Sequence, residues 1–337
     1  MKIERIVTTV DSHTAGEPTR VITGGLPHIP GETMTEKMDY FRLNLDFIRT
    51  ALIHEPRGHK DMIGAVLVPP VKKEADTGVF FLTPRGYFSL CGHGSIGVAT
   101  TLVAIGLKPT VEPVTQVILD TPAGMVTVSV RIQSGESLHA SLINVPSFLY
   151  AEGVKIALPQ VGEVRVDIAY GGNFYILVNA EDLHLEIISQ NVGTFFRVAE
   201  TIVNEVNRAI EIVHPEQRER ILARSVFFHG PPHHPQADSR TLLVGSGGTI
   251  DRSPCGTGTS ARMGALYAQR KLVVGGTYCT ESVVGTLFYG KVLEETRVGD
   301  FVAVVPEITA SAYITGFHQF VIEPSDPLKD GFLLVHF

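Results

Sequence analysis

Two short segments of the sequence place a cysteine directly before glycine-rich residues, in the pattern Cys-Gly-x-Gly. The first segment, CGHGSIG, begins at Cys91, and the second, CGTGTSA, begins at Cys255. Glycine lets backbone N–H groups come close to a ligand, and the first N–H groups of a helix attract anions. A helix start also lowers the pKa of a thiol placed there. Each motif therefore predicts a reactive thiol beside an anion site.

Two such thiols suit a reaction that removes a proton from one face of a carbon and delivers one to the other face. If both motifs face one substrate, Cys91 and Cys255 act as base and acid and exchange these roles in the reverse direction. A single cysteine at a helix start is more often a packing residue, since cysteine is among the most buried residue types. Two cysteines in matching glycine-rich segments favour catalysis, and they predict a racemase or epimerase that works without a cofactor.

Other residues that could do chemistry carry weaker signals. Cys279 lies in a strand-like segment without a glycine-rich helix start, and we interpret it as a packing residue. The pair His233-His234 could supply half of a metal site. No Cys, His or Asp accompanies it at a suitable spacing, so a surface loop is favoured and no metal is expected.

Composition and charge restrict the class of partner. The 337 residues carry a formal net charge of −7, and no basic run exceeds two residues, so neither nucleic acid nor an anionic membrane is expected. We expect a small-molecule substrate. The sequence has no run of about 18 apolar residues and no signal-peptide pattern, which favours a soluble cytoplasmic protein. Three cysteines without a CxxC pair favour reduced thiols.

Strand signals dominate the chain, and helical periodicity is confined to a few segments. Helices are predicted at about 34–50, 93–106, 191–212 and 257–270. The helices that follow the two motifs are apolar over much of their surface, which is typical of a helix central to its domain. Strands are predicted at 4–10, 64–68, 79–83, 116–120, 126–130, 140–145, 164–168, 174–178, 241–244, 287–291 and 301–305.

The two halves of the chain resemble each other around the cysteine motifs. An apolar strand precedes each motif, at 64–68 and at 241–244, and hairpin strands follow it. This pattern indicates an internal duplication and two domains. We place residues 1–145 with about 306–337 in an N-terminal domain carrying Cys91, and residues 146–305 in a C-terminal domain carrying Cys255.

Four segments of the sequence resemble the proline racemase family: DSHTAGEPTR at 11–20, EPRGHKDM at 55–62, CGHGSIG at 91–97 and DRSPCGTGTSARM at 251–263. The resemblance covers almost the whole chain. It implies an α+β fold of the diaminopimelate-epimerase type, with two pseudo-symmetric domains, each a mostly antiparallel β-barrel around a central helix. It further implies an active site between the domains, a homodimer, and independence from pyridoxal phosphate and metals.

The resemblance also assigns roles to individual residues. Cys91 and Cys255 match the two catalytic bases, and Asp251 and His93 match the residues that hold the substrate ammonium. The matching backbone donors to the substrate carboxylate are Gly92, His93, Gly256 and Thr257.

Within the superfamily, trans-3-hydroxyproline dehydratases carry Thr at the position of Cys255, since elimination needs only one base. Cysteine at both positions favours inversion of Cα in proline and 4-hydroxyproline. Three alternatives remain: a dehydratase of the same superfamily, a thiol redox protein that cycles through a disulfide between Cys91 and Cys255, and a non-catalytic amino-acid binding protein.

The expected breadth of substrate comes from the pocket wall. Proline racemases that the chain resembles commonly carry two phenylalanines there, and Ile63 and Val244 stand in the matching places, the latter after allowance for one residue. Aliphatic side chains leave more space beside the ring. An apolar wall discriminates against an added hydroxyl by about a hundredfold at most, so both proline and 4-hydroxyproline are expected substrates.

Overall fold

The computed structural model describes residues 4–159, 161–216, 218, 220–245 and 248–334. The chain divides into two compact units. The first comprises Met1–Leu142 with Ala310–Phe337, and the second comprises Ile143–Thr309. These limits lie a few residues from the domain boundaries expected from the sequence.

Strands outnumber helices in both units. The strands are β1 Arg5–Thr14, β2 Glu17–Gly24, β3 Ile63–Val68, β4 Thr77–Thr83, β5 Gly86–Phe88, β6 Val114–Thr121, β7 Gly124–Gln133, β8 Glu136–Ile143, β9 Ser147–Leu158, β10 Gly162–Tyr170, β11 Phe174–Asn179, β12 Ile212–Val213, β13 Arg220–Ile221, β14 Val226–Gly230, β15 Ser239–Val244, β16 Ile250–Asp251, β17 Thr277–Ser282, β18 Leu287–Val298, β19 Phe301–Ala310 and β20 Ala312–Ile322. The helices are α1 Met34–Asn44, α2 Asp46–Ile53, α3 Gly92–Ala104, α4 Val192–Ala209 and α5 Gly256–Ala268, with short 3₁₀ turns at Ala180–Leu183 and Ser189–Asn191. None of these described helices is long and apolar enough to cross a membrane.

In the first unit, the strands follow the order β20-β1-β2-β3-β4-β6-β7-β8, with β5 paired to β4. Neighbours are antiparallel except at the β2–β3 and β4–β6 pairs. Helix α3 packs against β1, β2 and β20, whereas α1 packs against β4 and β6 and α2 packs against β3 and β4. Every residue from Gly94 to Val103 of α3 is buried, so α3 is the central helix of this unit.

In the second unit, the order β9-β10-β11-β14-β15-β17-β18-β19 closes on itself, because β19 pairs with β9. The parallel pairs are β11–β14 and β15–β17. Helix α5 packs against β9, β10, β11 and β18, while α4 packs against β9, β14 and β15. Eight residues of α5 between Gly258 and Leu266 are buried, and so this helix is the centre of the barrel.

The same strand order in both units confirms the predicted pseudo-symmetry. Each unit has two parallel pairs at equivalent places, and an aspartate repeats the same contacts beside the second pair. The N–H of Asp76 donates to the carbonyl of Ile118, and the Asp76 carboxylate accepts from the N–H of Ile118, both at 2.8 Å. Asp238 makes the same two hydrogen bonds with Cys279, at 2.8 and 2.7 Å. From the sequence, the strands at 64–68 and 241–244, which are β3 and β15, are expected to be equivalent. By position in the two strand orders, β15 corresponds instead to β4, and β3 corresponds to β14.

The helix predicted at 34–50 is two helices in the structure. Leu45 leaves helical geometry, with φ −131°, and α2 begins at the next residue. The Asp46 carboxylate then accepts hydrogen bonds from Arg49 at 2.7 Å and from the Tyr87 hydroxyl at 2.5 Å. Because Tyr87 lies on β5, this start of α2 depends on a contact that is distant in sequence.

Candidate active site

Cys91 is the residue before the first turn of α3. Its backbone is extended, with φ −142°, and its Sγ lies 3.5 Å from Nδ1 and 3.7 Å from Nε2 of His93. The carbonyl of His93 accepts a hydrogen bond from Oγ1 of Thr14 at 2.9 Å, which ties the helix start to β1. The structure thus brings two of the predicted site residues, Cys91 and His93, together at one helix start.

Cys255 holds the same position before α5, with a different backbone. Its φ of +64° lies in a region that non-glycine residues rarely adopt and that is associated with strain at functional sites. The Sγ accepts a hydrogen bond from the N–H of Gly258 at 3.3 Å and lies 3.7 Å from Oγ1 of Thr257. The sulfur is therefore held over the N-terminus of its own helix.

The second glycine of each motif is required by packing. A Cβ at Gly94 would lie 2.7 Å from the Phe81 ring and 3.2 Å from the Cys91 sulfur. A Cβ at Gly258 would lie 2.5 Å from the Phe227 ring and 3.1 Å from the Cys255 sulfur. Such distances are well inside van der Waals contact, so the sulfur and a buried aromatic ring together account for glycine here.

The first glycine of each motif has a different reason. Apart from the chain neighbours and the backbone of the same helix, no described atom lies within 4 Å of a Cβ built at Gly92, and the nearest to one at Gly256 are at 3.8 and 3.9 Å. The first helical hydrogen bonds, Ser95 N to Cys91 O and Thr259 N to Cys255 O, begin further along the chain. Packing therefore does not require these two glycines, and the absence of a side chain leaves the N–H groups of each helix N-terminus open to close approach by an anion.

Asp251 and Ser253 hold the segment that leads to Cys255. Oδ1 of Asp251 accepts hydrogen bonds from the N–H of Ser253 at 2.8 Å and from its hydroxyl at 2.7 Å. Oγ of Ser253 in turn accepts from the N–H of Cys255 at 3.1 Å. A carboxylate is thereby placed near the thiol, where it can attract a cationic group.

The electrostatics of Cys255 correct one expectation. Burial raises the pKa of its thiol far above the ordinary range, and the charge of Asp251 raises it further. The N–H of Gly258 and the Thr257 hydroxyl lower the pKa, but by less. Desolvation of the buried charge thus outweighs the helix terminus, and the pKa of Cys255 is raised where the helix start alone predicts a lowered one.

The two predicted wall residues lie in different surroundings. Ile63 is buried and pairs with Thr19, whose side chain approaches Gly97 of α3, so Ile63 lies on the α3 face of its strand. Val244 belongs instead to the apolar cluster that includes α4. The preceding residue, Leu243, packs against the cluster containing Cys255. The structure therefore does not bring Val244 to Cys255, and Leu243 is the β15 side chain on that face.

The weaker candidates have structural roles. His233 and His234 lie in the loop between β14 and β15, and their N–H groups donate to the buried Glu281 at 2.7 and 3.0 Å. Cys279 is a buried residue of β17, and burial raises the pKa of its thiol to about 11. The described residues contain no cluster of three or more His, Cys, Asp or Glu side chains able to hold a metal ion.

One residue of the site has no signal in the motifs. The Tyr175 hydroxyl lies 2.6 Å from Oγ1 of Thr257, although the two residues are far apart in sequence. The adjacent pair of glycines at 171–172 offers the only clue. A Cβ at Gly171 would lie 2.3 Å from the Thr257 carbonyl and 2.5 Å from the N of Ala261, so the turn before β11 must approach α5 closely.

Comparison with known proteins gives matches along the whole chain. The chain is 46% identical to a proline racemase of Clostridioides difficile over 99% of its length and all of the relative. It is 43% identical to a 4-hydroxyproline 2-epimerase of Streptosporangium roseum over the same shares. Its fold matches the crystal structure of a hydroxyproline epimerase from Agrobacterium vitis with bound trans-4-OH-L-proline, with a TM-score of 0.87, 33% identity and coverage of 99% and 96% of the two chains.

The two-barrel α+β fold and these relatives define an isomerase of the racemase and epimerase class. The sequence model of the proline racemase family matches residues 9–333. The chain belongs to the proline racemase family.

Proposed function

We propose that the chain inverts Cα of proline and of 4-hydroxyproline with Cys91 and Cys255 as its two acid–base groups. The observation that carries this proposal is the repeated helix start. In each unit a thiol lies beside backbone N–H groups at a glycine that packing does not require. The similarity to a proline racemase and to a 4-hydroxyproline 2-epimerase supports both substrates.

In the proposed mechanism, the substrate carboxylate accepts hydrogen bonds from the N–H groups of Gly92, His93, Gly256 and Thr257. The substrate ammonium lies near Asp251 and His93. One cysteine thiolate removes the Cα proton, and the other cysteine thiol delivers a proton to the opposite face. An ammonium beside Asp251 offsets the negative charge that raises the pKa of Cys255. Substrate binding therefore makes the thiolate of Cys255 more accessible in the direction where it is the base.

The decisive experiment is racemisation of L-proline in deuterated water by the parent and by the variants Cys91→Ser and Cys255→Ser. Each variant is expected to lose at least about a hundredfold in kcat, because a serine hydroxyl is too weak an acid for either role. Cys279→Ser is the matched control, since Cys279 is an equally buried cysteine on β17. Circular dichroism checks that each variant is folded. A single variant at Cys91 or Cys255 with near-normal racemisation would refute the two-thiol mechanism.

The same assay, extended to trans-3-hydroxyproline and to a thiol reductant, separates the alternatives. Deuterium at Cα with inversion supports the isomerase with these substrates. Loss of water from trans-3-hydroxyproline without inversion of proline identifies a dehydratase, and a disulfide between Cys91 and Cys255 that turns over with a thiol reductant identifies a redox protein. Binding of proline without exchange identifies a binding protein.

We also propose a homodimer, which rests on the family resemblance and is tested by sedimentation. A cytoplasmic location is proposed as well, because Cys91, Cys255 and Cys279 are all thiols, as expected of a reducing compartment.

A further inference from the structure

The Tyr175 hydroxyl is buried next to the Cys255 site. Tyr175 is 4% exposed, and its hydroxyl lies 2.6 Å from Oγ1 of Thr257. The same Thr257 oxygen lies 3.7 Å from Sγ of Cys255. Tyr175, Thr257 and Cys255 thus form a short chain of polar groups within the second unit, closed off from solvent on the tyrosine side.

We propose that Tyr175 is a positioning residue that directs the Thr257 hydroxyl toward the Cys255 sulfur whenever that sulfur is a thiolate. The proposal rests on the proposed function, in which Cys255 alternates between thiol and thiolate. Tyr175 touches neither substrate nor the reacting carbon in this scheme; it directs the donor through Thr257, and its hydroxyl also faces Cys255 and Asn173.

The physical reason is the direction of the donors. A threonine hydroxyl has one hydrogen and rotates to suit its partners. When Tyr175 donates its hydrogen to Oγ1 of Thr257, the hydrogen of Thr257 is left to point elsewhere, and the sulfur is the nearest acceptor described for it. Burial raises the pKa of Tyr175 well above its ordinary value, so the phenol keeps its hydrogen at working pH.

The need for such a donor follows from the burial of the sulfur. Cys255 is 4% exposed, so a thiolate there receives little help from solvent, and the negative charge of Asp251 disfavours it further. The N–H of Gly258 already donates to the sulfur at 3.3 Å, and Thr257 adds a second donor that lowers the pKa of the thiol. A buried charge is stabilised in proportion to the number and alignment of such donors.

The ring and the hydroxyl of Tyr175 have separable roles. The ring packs in the apolar cluster formed with Phe227, Ala261 and Ala265 around Cys255. Phenylalanine would fill that place equally well, and so packing alone does not require a hydroxyl. Tyr175→Phe consequently removes the hydrogen bond to Thr257 while leaving the aromatic contacts in place.

The chain offers a matched control for this substitution. Tyr278 is 6% exposed, and its hydroxyl lies 2.6 Å from Oγ of Ser239. Both tyrosines therefore lose a buried hydroxyl–hydroxyl hydrogen bond of equal length on substitution by phenylalanine. Of these two tyrosines, only Tyr175 is connected to Cys255 through Thr257. A general loss of stability should therefore appear in both phenylalanine variants, whereas an effect on the thiol should appear only in Tyr175→Phe.

The experiment measures kcat, KM and the pH profile of proline racemisation for the parent, Tyr175→Phe and Tyr278→Phe. It also measures the rate of alkylation of Cys255 against pH by mass spectrometry. Tyr175→Phe is expected to lower kcat about tenfold with KM within about twofold. Its alkylation profile should move to higher pH by about one unit, while Tyr278→Phe keeps both parent profiles.

Thr257→Val supplies a second test of the connection. If Tyr175 acts through Thr257, the double variant Tyr175→Phe with Thr257→Val shifts the alkylation profile no further than Thr257→Val alone. Additive shifts, or parent profiles in Tyr175→Phe, would overturn the proposal. Failure of the proposed function shows separately, as a Cys255→Ser variant that still racemises proline.

Discussion

Substitution by alanine is expected to have opposite effects at the two glycines of the first motif, Gly92 and Gly94. Gly92→Ala places a methyl group with no described atom within 4 Å apart from the chain neighbours and the same helix's backbone. Gly94→Ala places one 2.7 Å from the Phe81 ring and 3.2 Å from the Cys91 sulfur. We expect the first variant to fold normally and to bind substrate poorly. The second should be destabilised.

The magnitudes follow from packing and helix propensity. Overpacking of a buried ring costs about 1–3 kcal/mol, and alanine recovers about 0.5–1 kcal/mol relative to glycine in a helix. Gly94→Ala should therefore lower the free energy of unfolding by up to about 2.5 kcal/mol. Phe81 is fully buried and cannot move aside cheaply. Gly92→Ala has only the favourable contribution, and its free energy of unfolding should be unchanged or slightly higher.

The effect on catalysis runs the other way. A methyl group at residue 92 stands between the helix N-terminus and the substrate carboxylate, and hydrogen bonds to a charged group contribute about 1.5–3 kcal/mol. The value of kcat/KM in Gly92→Ala should fall by about 10-fold to 150-fold. Urea unfolding followed by circular dichroism measures the stabilities, and initial rates of racemisation measure kcat/KM. If Gly92→Ala keeps the parent kcat/KM, the assignment of the carboxylate site at this helix start is refuted. If it proves less stable than Gly94→Ala, the packing argument is refuted.

Two further predictions concern the second unit. Because burial and Asp251 raise the pKa of Cys255, iodoacetamide should modify Cys255 at pH 7 more slowly than it modifies a cysteine peptide. The rate of modification should increase as the pH rises, and rapid modification at pH 7 would contradict a raised pKa. Leu243→Phe should lower kcat/KM for 4-hydroxyproline relative to proline, whereas Val244→Phe should lower Tm by overpacking the α4 cluster and leave that ratio unchanged. The reverse outcome would return Val244 to the pocket wall.

Most elements were predictable from local patterns. The predicted helices at 93–106, 191–212 and 257–270 agree with α3, α4 and α5 within a few residues, because apolar periodicity and glycine-rich starts are local signals. The long strands β9 and β20 were missed. Each contains an internal glycine, Gly153 or Gly316, and β9 changes register along β10 before it reaches β19. Irregular strands of this kind lack the alternation that sequence patterns detect.

The sequence by itself determined which residue types stand at each helix start. Cysteine followed by glycines at two places predicted a thiol at a helix start, and in the structure α3 and α5 each begin directly after the cysteine. It could not determine the direction in which the pKa of Cys255 is shifted, because that depends on burial by strands far away in the chain. The contact between Tyr175 and Thr257 depends equally on the packing of β11 against α5.

The strand β15 shows most clearly what only the tertiary structure decided. Its sequence, SRTLLV, is buried on both faces, since α5 lies on one side and α4 on the other. Alternation predicts that Leu243 and Val244 point in opposite directions. A strand buried on both sides carries no polar face to show which direction leads to Cys255. The packing of α4 and α5 on opposite sides of β15 determines the direction, and Leu243 is the residue that packs against the cluster containing Cys255.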